Sequence, residues 1–225
     1  MTTLAVMLVD GISRTRARLD HMPAASRPLK HLRRWQIARM RHTYADLLDD
    51  ERYHDAVELI MGAMPRQAAR PLRLFLSACH RLLSDRALSA VTGALELEAL
   101  SVAIDIDVAR ALGSEPLNAR TYAIAYRAAS SPRNRQRQLW LRLRTARALI
   151  ALANRRGIRT ALRAARLPAA LLGLRALHTF LERARAAFET MSDTEDLLRL
   201  IEQRELKIIQ NLFDGLSQPF RTNCL

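Results

Sequence analysis

Apolar residues recur every three or four positions along most of this chain, the spacing of a single buried helix face. Leu32, Trp35, Ile37, Met40, Tyr44, Leu47 and Leu48 trace one such face from Leu29 onward, and Asp49 with Asp50 closes that helix. Glu51 to Met64 restarts the pattern and Pro65 stops it. Pro71 suits the first turn of a helix over Leu72 to Leu83, and Ser84 with Asp85 caps Arg86 to Gly93, where the glycine bends or ends the element. Ala94 to Leu112 ends at Gly113, as a helix C-terminus should, and Asn118 is the next cap. Ser131 with Pro132 opens a long basic helix that Asn154 to Gly157 break. Pro168 starts another through Met191, and Ser192 with Glu195 has capping-box spacing ahead of a last helix stopped by Gly215. No segment reads as a strand.

The pattern predicts an all-α fold, a single-domain bundle of about eight or nine helices over residues 29–220. Residues 1–28 read as a partly helical tail or linker, and 221–225 as a C-terminal tail. A chain of 225 residues can bury roughly 70 to 75% of its unfolded surface, enough to hold a core by packing alone. Cys79 and Cys224 lie far apart with no CxxC spacing, which points away from zinc and disulfides and toward a reducing cytoplasm. The apolar run Leu4 to Val9 is too short for a signal peptide, and no stretch approaches the ~20 residues that cross a bilayer. The expected location is cytoplasmic, with a peripheral membrane position as the variant.

Charge changes this picture. Of 36 basic residues only Lys30 and Lys207 are lysine, and the net charge is +14. All of that excess falls between Pro116 and Leu181, where 14 arginines meet no acidic residue; the other 22 basic residues face 22 acids. GC-rich codons explain abundant arginine and alanine, but not the local disappearance of carboxylates. Such a segment either meets an anion or lies spread over solvent.

On a helical wheel, Arg133, Arg137, Trp140, Arg144 and Arg147 share an arc of roughly 80°, with Leu139, Leu143, Ala146 and Ile150 on another face. If 154–167 is helical, Arg155, Arg156, Arg159, Arg163 and Arg166 form a second stripe, opposite Ile158, Ala161 and Ala165. Arginine favours bidentate phosphate and carboxylate contacts, and an indole within the stripe suits base stacking. Nucleic acid is one expected partner and an anionic membrane surface the other, with a solvated face as the competing reading.

Candidates for chemistry are sparse. Glu51 and His54 make one ExxH, but a carboxylate-bridged di-metal bundle needs two. His42 with Asp46, and the cluster Glu96, Glu98, Asp105 and Asp107, are more simply read as helix-surface hydrogen bonds and pairs with neighbouring arginines. No phosphate loop, nucleophile elbow or HExxH occurs. No metal or cofactor is expected.

The segments LRRWQIARMRHTYADLLDDERYHDA from Leu32, GALELEALS from Gly93, DVARALG from Asp107, TYAIAYR from Thr121, RQRQL from Arg135, LERARAAFETM from Leu181 and IEQRELKIIQNLF from Ile201 resemble those of a bacterial family named for its FFLEELY motif. The closing Pro219 and Phe220 resemble it too, so the likeness spans roughly 29–220. The name-giving stretch departs: Leu59, Ile60, Met61, Gly62, Ala63 and Met64 stand there, without paired acids, aromatics or terminal tyrosine. The resemblance implies an all-helical domain and no particular chemistry.

The expected function is therefore binding rather than catalysis, with the arginine stripes as the surface for an anionic partner. One alternative is a small-molecule or cofactor pocket enclosed by the helices carrying His42, Tyr44, Tyr53, Tyr122 and Tyr126. Another is a homo-oligomer built through an apolar helix face.

Overall fold

A computed structural model describes residues 27–61, 85–154, 160, 163, 166, 175–189, 191 and 193–221. Eight helices run through them: α1 (Arg27–Thr43), α2 (Ala45–Leu48), α3 (His54–Met61), α4 (Asp85–Leu112), α5 (Ala119–Ala129), α6 (Pro132–Ala153), α7 (Arg175–Glu189) and α8 (Thr194–Phe213). There is no strand among the described residues, and the fold is the all-α bundle that the periodicity predicts. The tail before Arg27, the Leu72 to Leu83 helix, the Ser84 cap, the break at 155–157, Pro168 and Ser192 lie outside the described residues.

Turn chemistry sets most boundaries as read. Asn118 accepts from the backbone N–H groups of Arg120 and Thr121, and the Thr121 hydroxyl accepts from the Asn118 N–H, a reciprocal capping box that opens α5. Gly113 and Gly215 follow α4 and α8 with φ of 54° and 75°, the left-handed region that glycine enters without penalty.

Three boundaries differ. The first helix begins at Arg27, with Pro28 in its first turn, where its missing N–H costs nothing. It also breaks at Tyr44: the Thr43 hydroxyl bonds back to the Arg39 carbonyl, and the fully buried Tyr44 ring donates to Glu205 on α8. Gly93 does not end its helix, because α4 runs through it for 28 residues, about 42 Å. A Cβ there would stand 3.4 Å from Thr145 Oγ1, at the near edge of ordinary van der Waals contact, so α4 and α6 come close at this point.

α6 is the central element, packing on α4, α7, α8 and α3. Its contact with α4 is antiparallel, since Gln138 bonds Ser101 while Thr145 lies against Gly93. Two apolar clusters form around these helices. One holds Tyr44, Val57, Leu143, Phe188, Leu198 and Ile201; the other holds Leu32, Val108, Tyr122, Tyr126, Ile208 and Leu212. An aromatic series from Trp35 through Tyr122 and Tyr126 to Phe213 joins the second cluster, with Phe220 folded back onto Trp35 and Tyr122. At the C-terminus of α8, Arg127 donates to the Leu212 carbonyl at 2.8 Å, a cation at the negative end of the helix dipole.

Phe188 is 1% exposed, and replacing it with alanine is expected to cost about 3–5 kcal/mol in urea denaturation. Asn118→Ala, at an exposed cap, should cost only ~1 kcal/mol in the same assay.

Asp46 is held below the usual carboxylate range by its hydrogen bonds from Arg204, and Glu195 by those from Arg147. A carboxylate whose folded value is depressed contributes its stability above its unfolded value, near 4. That contribution is lost as pH falls through the depressed folded value. Stability should therefore stay level from pH 7 to about 5 and fall below about 4. Arg204→Ala should reduce the fall, as measured by urea midpoints across pH.

Candidate functional site

The two sides of α6 differ in kind. Leu139, Leu143 and Ala146 are buried as the helical wheel predicts, and Arg133, Arg137, Trp140, Arg144 and Arg147 are exposed. Trp140 keeps 55% of its surface in solvent, with the Arg144 guanidinium 5.2 Å from its ring centroid. Arg147 is engaged: it donates to Glu195 on α8 at 2.8 and 3.3 Å, and the same hydrogen bonds raise its own pKa. Of the second stripe, Arg163 and Arg166 are helical and exposed, whereas Arg155, Arg156 and Arg159 lie outside the described residues.

The inner side carries what the helical wheel also contained but the stripe reading passed over. Arg142 lies about 180° from the centre of the exposed stripe and Arg135 about 160°. Arg135 is only 5% exposed; its Nε donates to Ser130 Oγ at 2.7 Å, its Nη1 lies 3.3 Å from Gln138 Oε1, and its guanidinium sits 3.7 Å from the Tyr126 ring centroid. Arg142 Nη1 approaches the Met61 sulfur at 3.8 Å. The signal was a polar series, Arg135, Gln138, Arg142 and Thr145, at helical spacing in the middle of an apolar face.

These side chains line a cavity of about 250 Å³ at the seam of the two apolar clusters. Across it stand Arg33, Gln36 and Arg39 of α1 and Glu98, Ser101 and Asp105 of α4, with Glu205 of α8. Asp105 accepts from Arg33 at 2.9 Å and from Gln36 at 3.1 Å. Glu205 accepts from Tyr44 at 2.9 Å, and Arg39 Nη1 is 3.9 Å from it, too far for a hydrogen bond. Burial and the Glu205 carboxylate push the Tyr44 phenol well above its ordinary pKa.

The five residues expected to mark a pocket do not converge. Tyr122 and Tyr126 line the cavity, and burial pushes the Tyr126 phenol well up. Tyr44 is turned into the core against Glu205, His42 is exposed, and Tyr53 donates to Asp193 at the start of α8. Spacing along the chain says which residues share a helix but not which helix faces meet. His54 Nδ1 contacts the Leu48 carbonyl at 2.6 Å, while Asp46 takes both Arg204 nitrogens. No cluster of three metal-ligating side chains occurs among the described residues. No helix among them is long and apolar enough to cross a membrane.

No curated protein and no solved structure matches this chain. A family known only as a domain of unknown function, DUF8198, matches residues 15–219, and the chain belongs to that family.

Proposed function

We propose that this protein binds rather than catalyses, and that the outer face of α6 takes a single-stranded nucleic acid. The observation that carries the reading is Trp140, held 55% exposed among Arg133, Arg137 and Arg144 on a helix whose own segment contains no acid. A single exposed apolar residue is ordinary. An exposed indole within a row of guanidiniums is the arrangement that stacks a base while neutralising its phosphates. Along the helix axis, Arg137 and Arg144 lie about 10 Å apart with Trp140 between them. Arg163 and Arg166 extend the exposed basic surface.

An anionic membrane would use α6 differently, by sinking its apolar side among the lipids. That side, Leu139, Leu143 and Ala146, is already buried in the bundle. Assembly through an apolar helix face has less support, because among the described residues the large exposed hydrophobics Ile37, Ile124, Trp140 and Leu206 fall one to a helix and Leu216 lies beyond α8. The resemblance to FFLEELY-motif proteins adds an all-helical expectation and leaves the partner to experiment.

Fluorescence anisotropy with a labelled single-stranded oligonucleotide tests the reading. Three phosphate contacts should give a slope of about −2 in log K against log salt. Charge reversal at Arg137 and Arg144 together should lower affinity at least tenfold and flatten that slope. Trp140→Ala should cost about 1–3 kcal/mol of binding for the one stacked base. Because these side chains are exposed, unfolding free energy should move by only about 0.5 kcal/mol or less per substitution. Unchanged oligonucleotide binding in the double variant, or binding to anionic vesicles alone, contradicts the proposal.

Iodide quenching gives an independent check. Trp140→Phe should remove most of the quenchable tryptophan fluorescence, and bound oligonucleotide should protect it in the unmodified protein. Equal quenching with and without oligonucleotide would place the contact elsewhere.

A further inference from the structure

The inner side of α6 presents a separate problem. Arg135 is 5% exposed, no carboxylate among the described residues pairs with it, and its Nη2 has no hydrogen-bond partner. Arg39 Nε and Nη1 and Thr145 Oγ1 are likewise buried without a hydrogen-bond partner, Arg39 Nη1 standing 3.9 Å from Glu205, and all three residues line the same cavity. A guanidinium cannot escape the cost of burial by losing its proton, so it needs acceptors or a counter-charge. Among the described residues, four arginines and three carboxylates line the cavity, an excess of one positive charge there.

The lining is also graded along its length. On α6 the cavity-facing residues run Arg135, Gln138, Arg142, Thr145, then Ala146 and Leu149. On antiparallel α4 they run Asp105, Ser101, Glu98, then Leu97 and Ala94, so polar groups face polar groups and apolar face apolar. Leu59, Ile60 and Met61 of α3 and Phe188 of α7 complete the lining. From Arg135 to Leu149 the helix rises about 21 Å. Ile37 belongs to the lining and is 45% exposed, so the cavity reaches solvent beside α1.

We propose that this cavity binds an amphipathic monoanion, a medium-chain carboxylate, with its head on Arg135 and Arg39 and its apolar body toward Leu97 and Leu149. The excess positive charge of the described lining favours a monoanion, and a guanidinium fork matches a carboxylate's two oxygens. Scaled from a cavity of ~150 Å³ that admits benzene, 250 Å³ holds about ten non-hydrogen atoms, the size of octanoate. The site stands on interior residues and is independent of the outer face of α6.

Isothermal titration calorimetry at fixed ionic strength tests it, with octanoate, acetate, 1-octanol and inorganic phosphate as probes. Octanoate should bind saturably at one per chain, at least tenfold more tightly than acetate, which lacks the apolar body, and than octanol, which lacks the charge. Phosphate should bind more weakly than octanoate. Arg135→Gln should weaken octanoate at least tenfold and leave octanol unchanged. Ala94→Leu, which fills the apolar end, should weaken octanoate and spare acetate, and it keeps the test open if Arg135→Gln does not fold. Arg137→Glu, on the outer face, should change none of these. The proposal is overturned if octanol matches octanoate, if phosphate binds more tightly than octanoate, if folded Arg135→Gln binds octanoate as the unmodified protein does, or if no probe gives a saturable signal.

Discussion

A guanidinium stays charged at any pH a protein ordinarily meets, so an arginine carried into an interior must find acceptors or an opposite charge there. α6 carries arginines on both sides of the most surrounded helix in this bundle, and that constraint organises what lies around it. Arg135 spends two of its nitrogens on Ser130 and Gln138 and lays its plane over Tyr126. Asp105 is taken by Arg33 and Gln36, and Glu205 by the Tyr44 hydroxyl. Neither of these two acids hydrogen-bonds Arg135 or Arg142. A cavity remains at the seam of the two apolar clusters, and the arginines beside it keep nitrogens without hydrogen-bond partners, which is what motivates the proposed anion.

The outer side obeys the same chemistry with a different outcome. Arg133, Arg137 and Arg144 are solvated, so their charge costs little and adds little to stability. Arg147, further along the stripe, reaches Glu195 and ties α6 to α8. One helix therefore offers an exposed cationic row with an indole outward and a confined cationic group inward. The two proposals accordingly name different anions: a polymer that lies along a surface, and a small molecule with one charge and an apolar body.

Local chemistry was legible where it is written in neighbouring residues. Asn118 with Thr121, Gly113 and Gly215 announce their helix ends, and Leu139, Leu143 and Ala146 announce the buried side of α6. Gly93 is ambiguous because a mid-helix glycine can end a helix, bend it or lie where another helix comes close, and only the fold shows α4 continuing past it with Thr145 alongside. The pocket residues scatter for a related reason. Tyr44, Tyr53, Tyr122 and Tyr126 are alike in chemistry, but which of them share a cavity depends on how faces of distant helices meet. Arg135 and Arg142 were readable in principle, since they stand opposite the exposed stripe on the same helical wheel. The many exposed arginines nearby mask them, because residue type alone does not distinguish a solvated guanidinium from a buried one.

Native mass spectrometry of gently purified protein, set against the denatured mass of the same sample and against Arg135→Gln, tests the interior charge most directly. The account predicts a single small organic acid retained by the native protein, released on denaturation and absent from the folded variant. A bare native mass identical to the denatured one, from protein whose Arg135→Gln variant is equally folded and no less stable at low salt, would contradict it.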